Sequence, residues 1–254
     1  MTEQNIQQQK QFNVLLIGDD CIDVYQFGTV DRLSPEAPVP VFKMGSKEER
    51  PGMARNVKAN LEELGCRVNY LTGRTSVKTR LIDERSGQHI VRVDDDAFSD
   101  PIQIFTDIPP SYDAIVISDY NKGSVSYSLI NELRGAYDGP IFIDTKKKDL
   151  EKIPNCYIKI NQSEYEQLQT YPLGSLLIVT MGKEGARYDG EHYVAPKVQV
   201  VDVTGAGDTF LASLVYQFLQ TNSIKQSIPF AIKASSLTVQ KLGVYAPTLE
   251  EICV

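Results

Sequence analysis

Apolar and polar positions are arranged along this chain in two ways. Short apolar runs, each closing on a small or charged residue, recur at "FNVLLIG", "YDAIVISDY", "GPIFIDT", "NCYIKIN" and "LLIVTMG". Such runs predict strands buried on both faces, as in a parallel sheet. Between them, apolar residues fall at helical spacing. Met53, Val57, Leu61 and Leu64 do so in "MARNVKANLEELG", which Gly65 stops, and "SYSLINELRGAY" follows the same pattern. The alternation of strand and helix is the signature of βαβ units. The first strand is expected to end at Gly18, and "RVNYL" reads as another short strand. "PVPVFKMG" predicts an edge strand, because prolines limit its pairing, and "VKTRLIDERSGQHIVRVD" predicts a hairpin turning at Ser86 and Gly87. Two helices close the chain, one after Gly207 and one through "IPFAIKASSLTVQKLG". The expectation is one α/β domain over residues 1–254, with a mostly parallel sheet covered by helices. A small β flap would be built from segments near 38–50 and 75–94. Residues 1–11, polar and Gln-rich, read as a flexible lead-in with no apolar core for a signal peptide.

Composition narrows the function classes. The net charge of -7, from 26 basic and 33 acidic residues, argues against nucleic-acid binding, which needs a basic face. No apolar run approaches the ~20 residues of a membrane span. Cys21, Cys66, Cys156 and Cys253 lie far apart, with no C-x-x-C pair and no zinc-ligand spacing. A cytoplasmic setting with reduced thiols is the expectation. His89 and His192 have no serine or cysteine nucleophile pattern near them, which argues against a hydrolase triad. A dinucleotide-dependent dehydrogenase would carry G-x-G-x-x-G after the first strand. The chain has "GDDCID" there, and no Walker-type G-x-x-x-x-G-K-[ST] occurs.

In open α/β sheets, ligands sit beyond the carboxyl ends of the strands. That rule brings together Asp19, Asp20 and Asp23, Asp119 and Lys122, Asp144 and Lys146, Asn161 and Glu164, and Thr180 and Gly182. A rim of acids and lysines suits a phosphorylated ligand with a divalent cation. The stretch "VDVTGAGDTF" adds chemistry. Gly205, Ala206 and Gly207 open an apolar helix, and a helix N-terminus has free N–H groups and a partial positive charge. Small residues let those amides approach an anion closely. Asp208 sits one step inside the first turn, where it can take a proton from an alcohol attacking phosphorus. The simpler alternative is an acid that only stabilises its helix.

The longer string "DVTGAGDTF" resembles the signature of the ribokinase-like sugar kinases of the phosphofructokinase-B type. "RLSPEAPVPV" and "EERPG" are similar to the amino-terminal part of the bacterial heptose 7-phosphate kinases, and "ISDYNKG", "IDTKKKD", "NQSEYE", "VTMGKEG" and "QKLG" match in order, so that the resemblance spans 13–243. It implies a ribokinase-like fold and ATP-dependent phosphorylation of a sugar or sugar phosphate, with Mg²⁺. Heptose 7-phosphate, at its anomeric hydroxyl, is the implied acceptor. Asp208 would be the catalytic base, with the Gly205, Ala206 and Gly207 amides as anion hole. Asp202 and Thr204 would shape the loop. Asn161 and Glu164 match the N-x-x-E motif that helps organise Mg²⁺ and phosphates. Thr180, Gly182 and Gly185 would line the nucleotide, Asp23 and Asn56 would bind sugar hydroxyls, and Lys146 matches a lysine near the phosphates.

The chain departs from that pattern. Met53 stands where the family has Gly, Arg55 where it has a small residue, Thr145 where it has Pro, and Ile232 near an expected Asn. Arg55 would crowd the sugar pocket or grip a substrate phosphate bidentately. About thirty residues are expected to be missing between "YLTG" and "RTSVKT", and a second helix between "SEYEQLQ" and "LLIVT". These changes leave a second reading open: a non-catalytic descendant that binds a nucleotide or sugar as a regulator or partner. Flaps of this kind can pair between subunits, which leaves a homodimer open.

Overall fold

The computed structural model describes residues 11–104, 111–153, 155–172 and 176–254, so the lead-in expected at the start lies almost wholly outside the described residues. The elements run β1 (Asn13–Leu33), β2 (Pro40–Met53), α1 (Ala54–Glu63), β3 (Arg67–Asp83), β4 (His89–Asp95), β5 (Ala114–Asp119), α2 (Tyr127–Ala136), β6 (Ile141–Thr145), β7 (Tyr157–Asn161), α3 (Gln162–Glu166), β8 (Leu176–Thr180), β9 (Ala186–Tyr188), β10 (Glu191–Tyr193), α4 (Ala206–Thr221), α5 (Ile224–Thr238) and α6 (Leu249–Cys253). Among the described residues, the strands form one sheet in the order β10-β9-β8-β7-β6-β5-β1-β3-β4, with β2 on β1. Neighbours from β8 to β3 are parallel, whereas β9, β10, β4 and β2 pair antiparallel.

The two-residue period of the strands sorts the apolar runs into two cores. Val14 and Leu16 of β1, with Val116 and Phe142, face one side and pack with Val57, Leu61, Leu211, Val215 and Ile228 of α1, α4 and α5. Leu15 and Ile17, with Ile115, Ile117 and Ile143, face the other and pack with Leu129, Ile130 and Leu133 of α2. Because both faces are covered, the runs are continuously apolar in sequence. Cys21, Cys66 and Cys156 are buried and Cys253 is exposed.

The structure differs from expectation in the flap. The first strand does not end at Gly18. It continues to Leu33, with a register shift between Gly18 and Asp20, and pairs with β2 on one side and β3 on the other. Asp20 and Asp23 are thus strand residues, not loop residues. "RVNYL" and the first arm of the hairpin are also a single strand, β3, which runs unbroken through "YLTG" and "RTSVKT". A chain trimmed at this point can pass straight from sheet to flap because parallel pairing with β1 continues on both sides of the shift. The hairpin turn does fall between β3 and β4, with Gly87 at φ 69°.

Met53 ends β2 and caps α1 at φ 50°, ψ -134°, a backbone conformation that bulky residues rarely adopt. The backbone therefore retains at Met53 the shape expected of glycine, and the side chain is buried, 5% exposed.

Candidate active site

The carboxyl ends of β5, β6, β7 and β8 point toward the start of α4. That start is fixed from behind. Val201 and Asp202 donate backbone N–H bonds to the Val239 carbonyl at the end of α5, and Ser235 of α5 donates to the Ala206 carbonyl at 3.1 Å. Asp202 Oδ1 accepts from the Thr204 backbone N–H (2.9 Å) and hydroxyl (2.7 Å), while its Oδ2 accepts from the Gly243 N–H at 2.8 Å. Asp202 and Thr204 therefore shape the loop before the helix. Gly205 caps α4 at φ 79°, ψ -5°, with no side-chain cap on the first-turn amides. A Cβ at Gly205 would lie 2.7 Å from Asn56 Nδ2, so glycine is needed for both conformation and space.

Asp208 is 5% exposed. Its Oδ2 accepts from Asn56 Nδ2 at 2.8 Å and its Oδ1 from the Tyr120 hydroxyl at 2.9 Å. Asn60 Nδ2 donates to Asn56 Oδ1 at 3.2 Å and so orients the Asn56 amide toward Asp208. Burial pushes the Asp208 carboxyl up to about 6, against the Asn56 hydrogen bond. The Asp144 charge adds to the rise, and Lys159 and Tyr120 oppose it. Tyr120 is also raised, first by its own burial and then by Asp208. Its ring carries the Lys146 ammonium at 5.3 Å.

Around this acid lie two lysine–carboxylate pairs. Lys146 bonds Glu164 Oε1. Lys159 Nζ bonds Asp144 Oδ2 at 2.7 Å, with both side chains about nine-tenths or more buried. Asn161 and Glu164 form a capping box at α3: Asn161 Oδ1 accepts from the Glu164 N–H and Glu164 Oε2 from the Asn161 N–H, each at 2.8 Å. Lys147 reaches back to buried Asp119 at 2.8 Å, and burial raises the Asp119 carboxyl against that charge. Asp19 accepts the backbone N–H groups of Tyr120, Lys122 and Ser124, which holds the loop carrying Tyr120.

On the flap side, Arg55 is not free to grip a phosphate in this structure. It makes a bidentate pair with Asp20 (2.8 and 2.5 Å), which also accepts from Tyr70 and Thr75. A carboxylate deep in the strand outcompetes solvent for a planar guanidinium. Asp23 pairs with Arg80 at 2.5 Å. Asn56 is turned to Asp208. Sequence spacing missed Tyr120 and Lys159 as site residues. Lys159 had a signal: a charged residue at the centre of the apolar strand "YIKIN".

A cavity of about 680 Å³ opens on the other side of the helix mouth. Thr180, Gly182, Gly185, Ala206, Gly207 and Ile232 line it, together with Val200, Val203, Phe210 and Val239. It has the size and mostly apolar character of a small-molecule site. It ends at the two residues whose amides begin α4. Asn161, Asp202 and Thr204 do not line it.

A doubly covered, mostly parallel sheet with a β flap and a glycine-mouthed helix beside an apolar cavity is a ribokinase-like architecture. An Arabidopsis thaliana ribokinase, solved with ribose and ATP, superposes with TM-score 0.70 at 17% identity, covering 96% of this chain and 98% of that one. Residues 146–252 match the pfkB family carbohydrate kinases. A bifunctional protein HldE of Helicobacter pylori (strain HPAG1) is 31% identical over 305 residues, covering 94% of this chain and 65% of its own length. The corresponding protein of Vibrio vulnificus (strain CMCP6) is 32% identical over 289 residues, covering 91% and 60%. The chain therefore spans less than two thirds of these curated relatives. The 305 aligned positions outnumber the 254 residues here, so the Helicobacter relative carries segments that this chain lacks.

Proposed function

We propose that this chain is an ATP-dependent carbohydrate kinase acting on a heptose 7-phosphate or similar sugar phosphate at the anomeric hydroxyl. One observation carries the reading. A buried carboxylate, held by Asn56 and Tyr120, stands in the first turn of a helix whose glycine-rich mouth closes an apolar cavity of about 680 Å³. In this reading the cavity takes the adenosine, and its Thr180, Gly182 and Gly185 wall lies along the nucleotide. The γ-phosphoryl group meets the N–H groups at Gly205, Ala206 and Gly207. Asp208 accepts the acceptor's proton as the hydroxyl oxygen attacks phosphorus and the bond to the ADP oxygen breaks. The amides meet charge that develops on the phosphoryl oxygens. Asn56 and Tyr120 hold the carboxylate in one orientation, so no rearrangement precedes proton transfer.

The donor set also fits a divalent ion brought in with the nucleotide. Mg²⁺ is usually bound through one or two carboxylates, substrate phosphates and waters. Asp144 Oδ1 is buried with no hydrogen-bond partner among the described residues, and Glu164 lies in the first turn of α3, just after the adjacent strand β7; these two would hold Mg²⁺. When bound it would neutralise phosphate charge. Among the described residues, no helix is long and apolar enough to cross a membrane. The flap leaves Met44, Val91 and Val93 exposed, which supports a homodimer through that surface.

A second reading, a nucleotide- or sugar-binding regulator, draws support from the Asp20–Arg55 and Asp23–Arg80 pairs, which occupy acceptor-side groups. ADP release, measured with ATP, Mg²⁺ and a panel of sugars and sugar phosphates, separates the two. Turnover on a sugar phosphate supports the kinase; nucleotide binding without turnover on any acceptor supports the regulator.

Two further outcomes follow from the geometry. Proton acceptance needs the ionised form of Asp208, so kcat/KM is expected to rise with pH through a limb near 6 and level off above it. A pH–rate profile from 4.5 to 8.5 checks this, and a flat profile below 6 contradicts it. Val239→Trp would fill the cavity from the end of α5. It is expected to raise the KM for ATP about tenfold or more while kcat stays within about threefold, because it touches binding and not the reacting groups. Steady-state kinetics at varied ATP measures both.

A further inference from the structure

Two stretches far apart in sequence, "EERPG" before α1 and "QKLG" after α5, meet in the folded chain. Arg50 of the first lies on the flap strand β2, and its Nη1 donates to the Leu242 carbonyl of the second at 2.9 Å, across 192 positions. The two fit closely. Gly243 has φ 74°, and a Cβ there would lie 2.0 Å from Arg50 Nη1, so the turn needs glycine both for its backbone and for the guanidinium. Arg50 Nη2 also pairs with Glu48 at 3.0 Å, and the guanidinium lies 4.7 Å from the centroid of the buried Tyr25 ring. An exposed ion pair returns little for the rotamer freedom it costs. What the arginine holds is the better reason for the arrangement.

Both ends of this contact lead toward the groups that react. On one side, the Gly243 N–H donates to Asp202 Oδ2 at 2.8 Å, and Asp202 Oδ1 holds the N–H and hydroxyl of Thr204, the residue before Gly205. Val244 packs at the same place: its Cγ1 would lie 3.2 Å from a Cβ on Gly205. On the other side, the Tyr25 ring also carries Arg80 at 5.2 Å, and Arg80 pairs with Asp23 at 2.5 Å. Asp23 is in turn the register partner of Arg50 across β1 and β2.

Resting on the kinase reading, we propose that Arg50 is a positioning residue, which pins the Leu242–Gly243 turn to the flap and, through Asp202, fixes the helix-mouth amides that receive the phosphoryl group. It acts through the turn and touches no reacting atom. Arginine suits the task because a planar guanidinium can donate to a carbonyl, pair with a carboxylate and lie on a ring at once. A mouth displaced by about 1 Å loses rate steeply, whereas the apolar cavity still takes the nucleotide, so the loss falls on kcat more than on ATP binding.

The test compares wild type with Arg50→Met, and with Arg50→Lys should the first variant not fold by circular dichroism. Arg85→Met is the control, because Arg85 pairs with Asp31 on the same flap with 66% of its side chain exposed and lies in neither contact chain. Arg50→Met is expected to lose about tenfold or more in kcat with the KM for ATP within about threefold. A second readout does not depend on turnover. Hydrogen-exchange mass spectrometry of the full chain should show at least tenfold faster exchange in peptides covering 200–206 and 239–245, which contain the Thr204 and Gly243 amides held by Asp202. A peptide covering 224–234 in α5 should exchange as in wild type, and Arg85→Met should match wild type throughout. The two readings fail separately. A wild type that phosphorylates no acceptor overturns the kinase reading, and the exchange pattern then decides the role of Arg50. A folded Arg50 variant with the kcat of an active wild type, or with unchanged exchange in the two mouth peptides, overturns that role. Exchange that quickens equally in the α5 peptide, equal changes in Arg85→Met, or misfolding of both Arg50 variants assigns Arg50 to the fold in general and also overturns the proposal.

Discussion

Asp208→Asn is expected to lose about 10²–10⁴-fold in kcat while gaining stability at neutral pH. The loss follows from removing the proton acceptor without changing its shape: asparagine fills the same space between Asn56 and Tyr120 but cannot take a proton from the acceptor hydroxyl. The gain follows from the same burial that raises the carboxyl to about 6 from an ordinary value of 3.8. Between those two values the folded protein holds a proton that the unfolded chain has released. Stability from this group is therefore highest below about pH 4 and declines as pH rises through 6. Above 6 the folded state carries the full cost of a buried charge. Two pKa units correspond to an upper bound of about 3 kcal/mol. Asparagine removes that cost, so thermal melting at pH 7.5 should rise by several degrees, with little or no gain at pH 4. An inactive but stabilised variant is the mark of a site residue kept at the expense of the fold. A variant less stable than wild type at pH 7.5 would count against the buried-charge account.

Gly205→Ala is expected to have the second-largest effect. Its left-handed backbone, φ 79°, resists a Cβ, at about 1–2 kcal/mol. The new methyl would also lie 2.7 Å from Asn56 Nδ2, the donor that holds Asp208. Relief must displace either the helix mouth or Asn56, and both feed the same reaction. A fall of about 10²–10³-fold in kcat is expected, comparable with losing an oxyanion donor. Gly65→Ala is the control. Gly65 has a similar positive φ of 86°, with nothing within 4 Å of the added Cβ, and it ends α1 far from the crevice. It should lose similar stability and keep its kcat. Denaturant melts paired with steady-state rates separate strain from disruption of the site, and equal kcat in the two variants would remove Gly205 from the mechanism.

Much of the fold was legible in the sequence because buried parallel strands are continuous apolar runs and their ends are marked by polar residues. "AIVISD" and "IFIDT" become β5 and β6 with little adjustment. "TGAGD" could be read because its chemistry is local: glycines, a helix start and an acid lie within five residues. The flap was less legible. Asp19, Asp20 and Asp23 look like a polar turn after Gly18, yet the chain remains extended because Asp20 is met by Arg55, Tyr70 and Thr75 and Asp23 by Arg80. Those partners are remote in sequence, so no local pattern announces them. The same holds for Tyr120 over Asp208, 88 residues apart, and for Lys159 on Asp144, which depends on strand register. Asn161 and Glu164 show the converse: a motif read for phosphate chemistry also satisfies the capping rules of its own short helix.

The central claim is that Asp208 and the helix mouth of α4 move a phosphoryl group from ATP to a sugar alcohol. Phosphorus NMR of wild type and Asp208→Asn, incubated with ATP, Mg²⁺ and a heptose 7-phosphate, tests it most directly. The account predicts a second phosphate ester on the sugar, formed together with ADP, in the wild-type sample and none above background in the variant over the same period. Formation of that ester at equal rates in both samples would contradict it.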